Sequence, residues 1–99
     1  MALENNYLFR LGTPAIAYDG LKFPGHGKRA DWSLSGRLTN QGNELTNCGD
    51  LLKALALYDK AIAIYPTPVC YYNRGICLSS LNRLVESSES YKKAIDVLP

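Results

Sequence analysis

Asparagine has no propensity advantage inside a helix, so Asn43 and Asn73, each set among helix-forming residues, invite a chemical reading. A side-chain amide both donates and accepts, so two of them brought together could hold a ligand by hydrogen bonds. The alternative is structural, with Asn43 a polar surface residue and Asn73 bonded to backbone across a turn. His26 is the only imidazole, held between glycines in Phe23-Pro24-Gly25-His26-Gly27-Lys28-Arg29. A base in such a loop could move protons, but no acidic or nucleophilic partner can be placed beside it. A flexible exposed loop is the expectation. The stretch also fails as a phosphate cradle: Lys22 stands where the first glycine of that motif belongs, and Arg29 where its hydroxyl belongs.

Cys48, Cys70 and Cys77 are odd in number and lack metal-type spacing, which argues against a disulfide framework and a zinc site. No metal or cofactor is expected. Cys70 and Cys77 lie seven apart and share a helix face, where they read as small buried hydrophobes. Ser87, Ser88 and Ser90, mixed with Glu86 and Glu89, could accept phosphate; a solvated helix face is the commoner meaning of such a run. Tyr71 and Tyr72 are adjacent and must point to different faces, one into the core and one toward a groove.

These groups sit in a chain of 99 residues with 46% hydrophobic and 20% charged content, an ordinary composition for one small domain. Eleven basic against nine acidic residues leave a formal charge of +2, too little to point to nucleic acid as the partner. No apolar run approaches the roughly 20 residues of a membrane-spanning helix. The start, Met-Ala-Leu-Glu-Asn-Asn, lacks the basic region of a secretion signal, and a cytoplasmic protein is expected.

Two regions must position the candidates. Residues 1–33 are irregular in pattern, with Pro14, Pro24 and several glycines; Leu3, Tyr7, Leu8 and Leu11 suit one short helix. Phe9, Ile16, Tyr18, Leu21 and Phe23 are too apolar for a solvated linker. From Trp32 the periodicity becomes helical. Trp32, Leu34, Leu38 and Leu45 mark a first helix closed near Cys48-Gly49. Asp50 suits an N-cap whose carboxylate accepts from free amides. Leu51, Leu55, Tyr58, Ala61 and Ile62 mark a second helix, stopped by Pro66. Thr67-Pro68 opens a third with a hydroxyl cap and a proline at its first position. Asn82-Arg83 turns into a fourth, carrying Leu84, Tyr91, Ala94, Ile95 and Leu98.

The second pair of helices repeats the first at a shift of 33. Gly42 falls on Gly75, Leu45 on Leu78, Leu51 on Leu84, Tyr58 on Tyr91, Lys60 on Lys93, Ala61 on Ala94, Ile62 on Ile95 and Pro66 on Pro99. A repeat of this length means stacked helix hairpins, each unable to bury its apolar face alone. Small Gly42, Gly75, Ala54, Ala61 and Ala94 let paired helices approach; Tyr58 and Tyr91 fill the gaps.

The placement of Gly42, Ala54, Tyr58, Ala61 and Pro66, and again of Gly75, Tyr91, Ala94 and Pro99, resembles the tetratricopeptide repeat (TPR), whose period is about 34 residues. Ser87 stands for the usual second-helix alanine. The resemblance covers residues 34–99 and implies an all-α fold of two TPR helix-turn-helix hairpins, 34–66 and 67–99, behind the irregular segment 1–33. Leu38-Thr39-Asn40-Gln41-Gly42-Asn43 and Tyr71-Tyr72-Asn73-Arg74 further resemble TPR cochaperones that clamp the acidic C-terminal tails of chaperones. Asn43 and Asn73 match that group's two asparagines. Thr39 replaces its lysine, and the third repeat with its further basic residues is absent.

What the resemblance implies is binding, not catalysis: a peptide or partner helix held across the concave face. That face is lined by the first helix of each hairpin, at Thr39, Asn43, Thr46 and Asn47, then Tyr72, Asn73, Ile76 and Ser80. A chaperone C-terminal tail is one candidate partner. Two other readings stay open: the targeting end of a larger TPR-containing enzyme, and a subunit that uses its repeats to assemble. The last helix carries Leu84, Val85, Tyr91, Ile95, Val97 and Leu98, more apolar groups than one neighbour can bury, and no further helix follows Pro99. The surplus calls for a cover: the N-terminal segment folding back, a second copy, or sequence beyond Pro99. The N-terminal segment is expected on the first hairpin, leaving the last helix for homo-oligomer formation.

Overall fold

The computed structural model describes residues 22–98. They form four helices, α1 (Arg29–Asn47), α2 (Leu51–Ile64), α3 (Pro68–Ser80) and α4 (Leu84–Asp96). Helices α1 and α2 pair as one hairpin and α3 and α4 as the next; α3 also lies on α2 and touches α1. Helix α4 packs on α3 and on no other described helix. The all-α architecture is the one expected. None of the described helices is long and apolar enough to cross a membrane.

Helix α1 opens at Arg29, earlier than the periodicity from Trp32 suggests. The reason is local: Phe23 packs edge-on against Trp32 with centroids 5.7 Å apart, and the Arg29 guanidinium lies 4.8 Å above the Phe23 ring. A cation over an aromatic face is favourable, and here it ties the first turn of α1 to the chain before it. His26 is exposed, as expected of its loop, and has one aromatic neighbour. It stacks on Tyr65 at 5.8 Å, and the Tyr65 hydroxyl donates to the His26 carbonyl at 2.5 Å. Phe23, His26 and Gly27 thus touch the first hairpin at Trp32, Arg29 and Tyr65. The short helix expected at Leu3–Leu11, and Phe9, Ile16, Tyr18 and Leu21, lie outside the described residues.

Both hairpin turns repeat. After α1, Asp50 N–H donates to Leu45 C=O at 2.9 Å and Gly49 N–H to Thr46 C=O at 3.1 Å, with Gly49 at φ +85°. After α3, Arg83 N–H donates to Leu78 C=O and Asn82 N–H to Ser79 C=O, both at 2.9 Å, with Asn82 at φ +61°. This is the Schellman closure, in which a left-handed residue lets the chain turn back onto the last free carbonyls. Glycine and asparagine are the residues that tolerate that conformation.

The caps differ. Thr67 fulfils its expected role: its hydroxyl accepts from Cys70 N–H at 3.2 Å, and Thr67 N–H reaches back to Cys70 Sγ at 3.2 Å. Asp50 does not. It makes no side-chain cap bond, and its carboxylate pairs with Lys53 at 3.7 Å. The Schellman turn leads straight into α2 and leaves Asp50 at ψ 71°, outside the extended geometry of a capping residue. Arg83, one repeat on, pairs with Glu86 at 2.7 Å, the same spacing with the charges exchanged.

The core has two buried clusters. Ala54, Leu55, Tyr58, Cys77 and Leu78 form one, with Leu45, Leu51 and Leu81 around it. Leu38, Ala61 and Cys70 form the other, with Ile62 beside them. Cys70 and Cys77 are buried, as expected, and Cys48 is exposed. Leu34, one of the apolar residues that mark α1, is at the surface.

Candidate functional site

Asn43 and Asn73 come together, and they do so inside the chain. Tyr58 reaches across the hairpin because Gly42 has no side chain: a Cβ there would stand 2.6 Å from the tyrosine ring. The Tyr58 hydroxyl donates to Asn43 Oδ1 at 2.7 Å, and Asn73 Nδ2 donates to the same oxygen at 3.0 Å. Both lone pairs of that oxygen are used. The Thr46 hydroxyl lies 2.9 Å from the Gly42 carbonyl and 2.9 Å from the Tyr58 oxygen. Burial pushes the Tyr58 phenol well above its ordinary pKa, against the bond to Thr46, which lowers it. Thr39 donates to the Ser35 carbonyl at 2.8 Å within α1.

Four of the eight expected groove residues are therefore buried within the chain: Thr39 and Asn73 at 0% exposure, Asn43 and Ile76 at 8%. Thr46 and Tyr72 are half-buried, and Asn47 and Ser80 are exposed. The expectation of Thr39, Asn43, Asn73 and Ile76 as accessible wall residues is corrected here, because α3 lies against α2 and α1 and its amide is spent on Asn43.

Two other expectations change for the same reason. Ser87 and Ser90 are not solvated: they are buried and donate to the Gly75 and Tyr71 carbonyls, each at 2.7 Å, fastening α4 to α3. Ser88 between them is exposed. Neither Tyr71 nor Tyr72 is a core residue. Tyr71 borders a small hollow of about 280 Å³ among Asp59, Arg74, Glu89 and Lys93, where Arg74 and Asp59 pair at 2.6 Å. Tyr72 turns to the opposite side.

There the structure holds a larger apolar groove of about 570 Å³. Val69 and Tyr72 of α3 face Tyr91, Ala94 and Ile95 of α4, with Leu98 beyond. Tyr72 and Tyr91 are tilted against each other at 5.7 Å. Tyr91 passes over Gly75 as Tyr58 passes over Gly42, with a would-be Cβ again 2.6 Å from its ring. Partial burial raises the Tyr91 phenol's pKa. Ile95 is 67% exposed and Leu98 58%. The apolar surplus on the last helix was legible in the sequence; that it joins Val69 and Tyr72 into a groove was not.

The family pattern of the Tetratricopeptide repeat matches residues 37–68 and again 69–97. The chain belongs to the TPR family. The repeat boundaries of the family pattern fall within three residues of the 34–66 and 67–99 division read from the sequence. Two TPR hairpins form a protein–protein interaction module. No curated protein and no solved structure matches the chain.

Proposed function

We propose that this TPR pair acts by binding, not by catalysis, and that it holds a protein partner on the apolar groove between α3 and α4. One observation carries the reading. The amides expected to bind a ligand are occupied by each other and by Tyr58, whereas Tyr72 opens onto apolar surface that no described residue covers. Burying such surface is the main source of affinity in protein association, and Tyr is among the side chains that most often dominate it.

A chaperone-tail clamp is the second reading. What favours it is the meeting of Asn43 and Asn73 at 3.0 Å. A carboxylate would have to displace that bond, and with Thr39 buried no cation stands at the lysine position to repay it.

The two separate by experiment. Fluorescence anisotropy of acidic C-terminal peptides and of apolar amphipathic peptides would be measured against the intact chain and against Tyr72→Ala. Binding of apolar peptides that Tyr72→Ala weakens supports the groove. Selective binding of acidic tails, lost on amidation of their carboxylate and untouched by Tyr72→Ala, defeats it.

A further inference from the structure

The two hairpin turns lie on one edge of the stack. The Cys77 thiol of α3 donates to the Leu51 carbonyl of α2 at 3.2 Å, which sets the end of the second hairpin beside that of the first. The turns share one backbone form. Both close as Schellman turns, and Asp50 at φ −87°, ψ 71° matches Arg83 at φ −96°, ψ 71°. Side chains 33 residues apart therefore hold equivalent places on this edge.

Their charges are not equivalent. Asp50 pairs with Lys53 on the first turn, and Arg83 with Glu86 on the second. Acid precedes base on one turn and base precedes acid on the other. Between the members of each pair the edge is apolar. Leu52 is 67% exposed, Leu84 60% and Val85 75%. Leu34 apart, the exposed large apolar side chains of the described residues divide between this edge and the groove.

A two-fold axis laid across the stack at this edge sets the first turn of one copy against the second turn of the other, and the reverse. Residues 33 apart then face each other. Asp50 meets the partner's Arg83, Lys53 the partner's Glu86, and Leu52 the partner's Val85. Each charge opposes its opposite, and the apolar residues between them leave water together. We infer that this edge is the interface of a symmetric homodimer, with a second copy of the chain as its occupant. The inference is independent of the groove and uses none of its residues. An exposed ion pair alone is worth little, so the apolar side chains supply the affinity and the charges set the register.

The test exchanges the charges. D50R/K53E gives both turns the pattern of the second, and R83D/E86K gives both the pattern of the first. Each variant keeps an ion pair within every turn, in a pattern with which the native chain already folds. Sedimentation of the full chain is followed over a range of concentrations, under reducing conditions that keep exposed Cys48 from cross-linking. The native chain should pass from monomer to dimer, less readily as salt is added. Each exchanged variant alone should dimerise at least about tenfold more weakly, and their equimolar mixture should recover the native affinity as a heterodimer. Leu52→Glu, an acid in the first turn of a helix, where it is favourable, should abolish the dimer.

A native chain that stays monomeric to about 1 mM overturns the inference. Exchanged variants that dimerise as tightly as the native chain overturn the turn-to-turn register. So does a mixture that associates no better than its components. A dimer that ignores Leu52→Glu and dissociates with Ile95→Lys would place the second copy on the groove and overturn the edge as the interface.

Discussion

Asn43 of α1 and Asn73 of α3 meet at 3.0 Å, with Asn43 Oδ1 accepting from Asn73 and from the Tyr58 hydroxyl at once. One buried oxygen thereby joins three helices and both repeats. Its role in the folded chain is cohesion, and the first prediction tests it through stability. Asn73→Ala should destabilise the fold by about 1–3 kcal/mol, the usual cost of removing one partner of a buried polar pair. Urea unfolding followed by circular dichroism checks this. Asn43→Ala should cost at least as much, since it also takes the 2.7 Å acceptor from the Tyr58 hydroxyl and leaves it Thr46 alone. The double variant should cost less than the two singles added together. Full additivity would mean that the pair does not couple.

The two repeat glycines should respond differently to a methyl group. Gly42→Ala sets a Cβ 2.6 Å from the ring of Tyr58, which is fully buried and cannot withdraw. Overpacking of this kind costs about 1–3 kcal/mol, against roughly 1 kcal/mol gained from the better helix former. Gly75→Ala meets Tyr91 at the same 2.6 Å, but that ring is half-buried beside an open groove and can swing aside. A lower urea midpoint for Gly42→Ala than for Gly75→Ala is the expected result.

The helix starts offer a paired test of capping. Thr67→Ala removes a hydroxyl that accepts from Cys70 N–H at 3.2 Å, and should cost about 1 kcal/mol. Asp50→Ala removes no cap bond, only an exposed ion pair at 3.7 Å, and should change stability by less than about 0.5 kcal/mol. Thermal unfolding of both variants checks the ranking. The reverse order would restore Asp50 as the cap.

The Cys77 thiol donates to the Leu51 carbonyl at 3.2 Å, and burial pushes its pKa from 9.0 up to about 11. The unfolded thiol therefore releases its proton first as pH rises. Between about 9 and 11 the native state holds the extra proton, so stability falls with increasing pH across that window. Tyr58, raised from 10.0, adds to the loss above pH 10. Urea midpoints at pH 8 and pH 10.5 should fall for the native chain, and fall less for Cys77→Ala relative to its own midpoint at pH 8. A thiol reagent at pH 8 should modify exposed Cys48 quickly, and Cys70 and Cys77 only after denaturation.

The sequence by itself determined what repeats locally. Helices were legible because apolar spacing, Thr67-Pro68 and the turn residues Gly49 and Asn82 act within a few residues of one another. The register of 33 was legible because Gly42 with Tyr58, and Gly75 with Tyr91, must fit a close helix approach twice over. The tertiary structure alone decided which way the polar groups face. Asn43, Asn73, Thr39, Ser87 and Ser90 read as surface chemistry because polar side chains are usually solvated, and each found a partner across a helix contact or within its own helix. Whether an amide is ligand or mortar depends on what stands 3.0 Å away, and for Asn43 that neighbour lies 30 residues along the chain. The groove was hidden for the same reason: Val69, Tyr72, Ile95 and Leu98 become one surface only when α4 folds back on α3 and no further helix of the described chain lies over them.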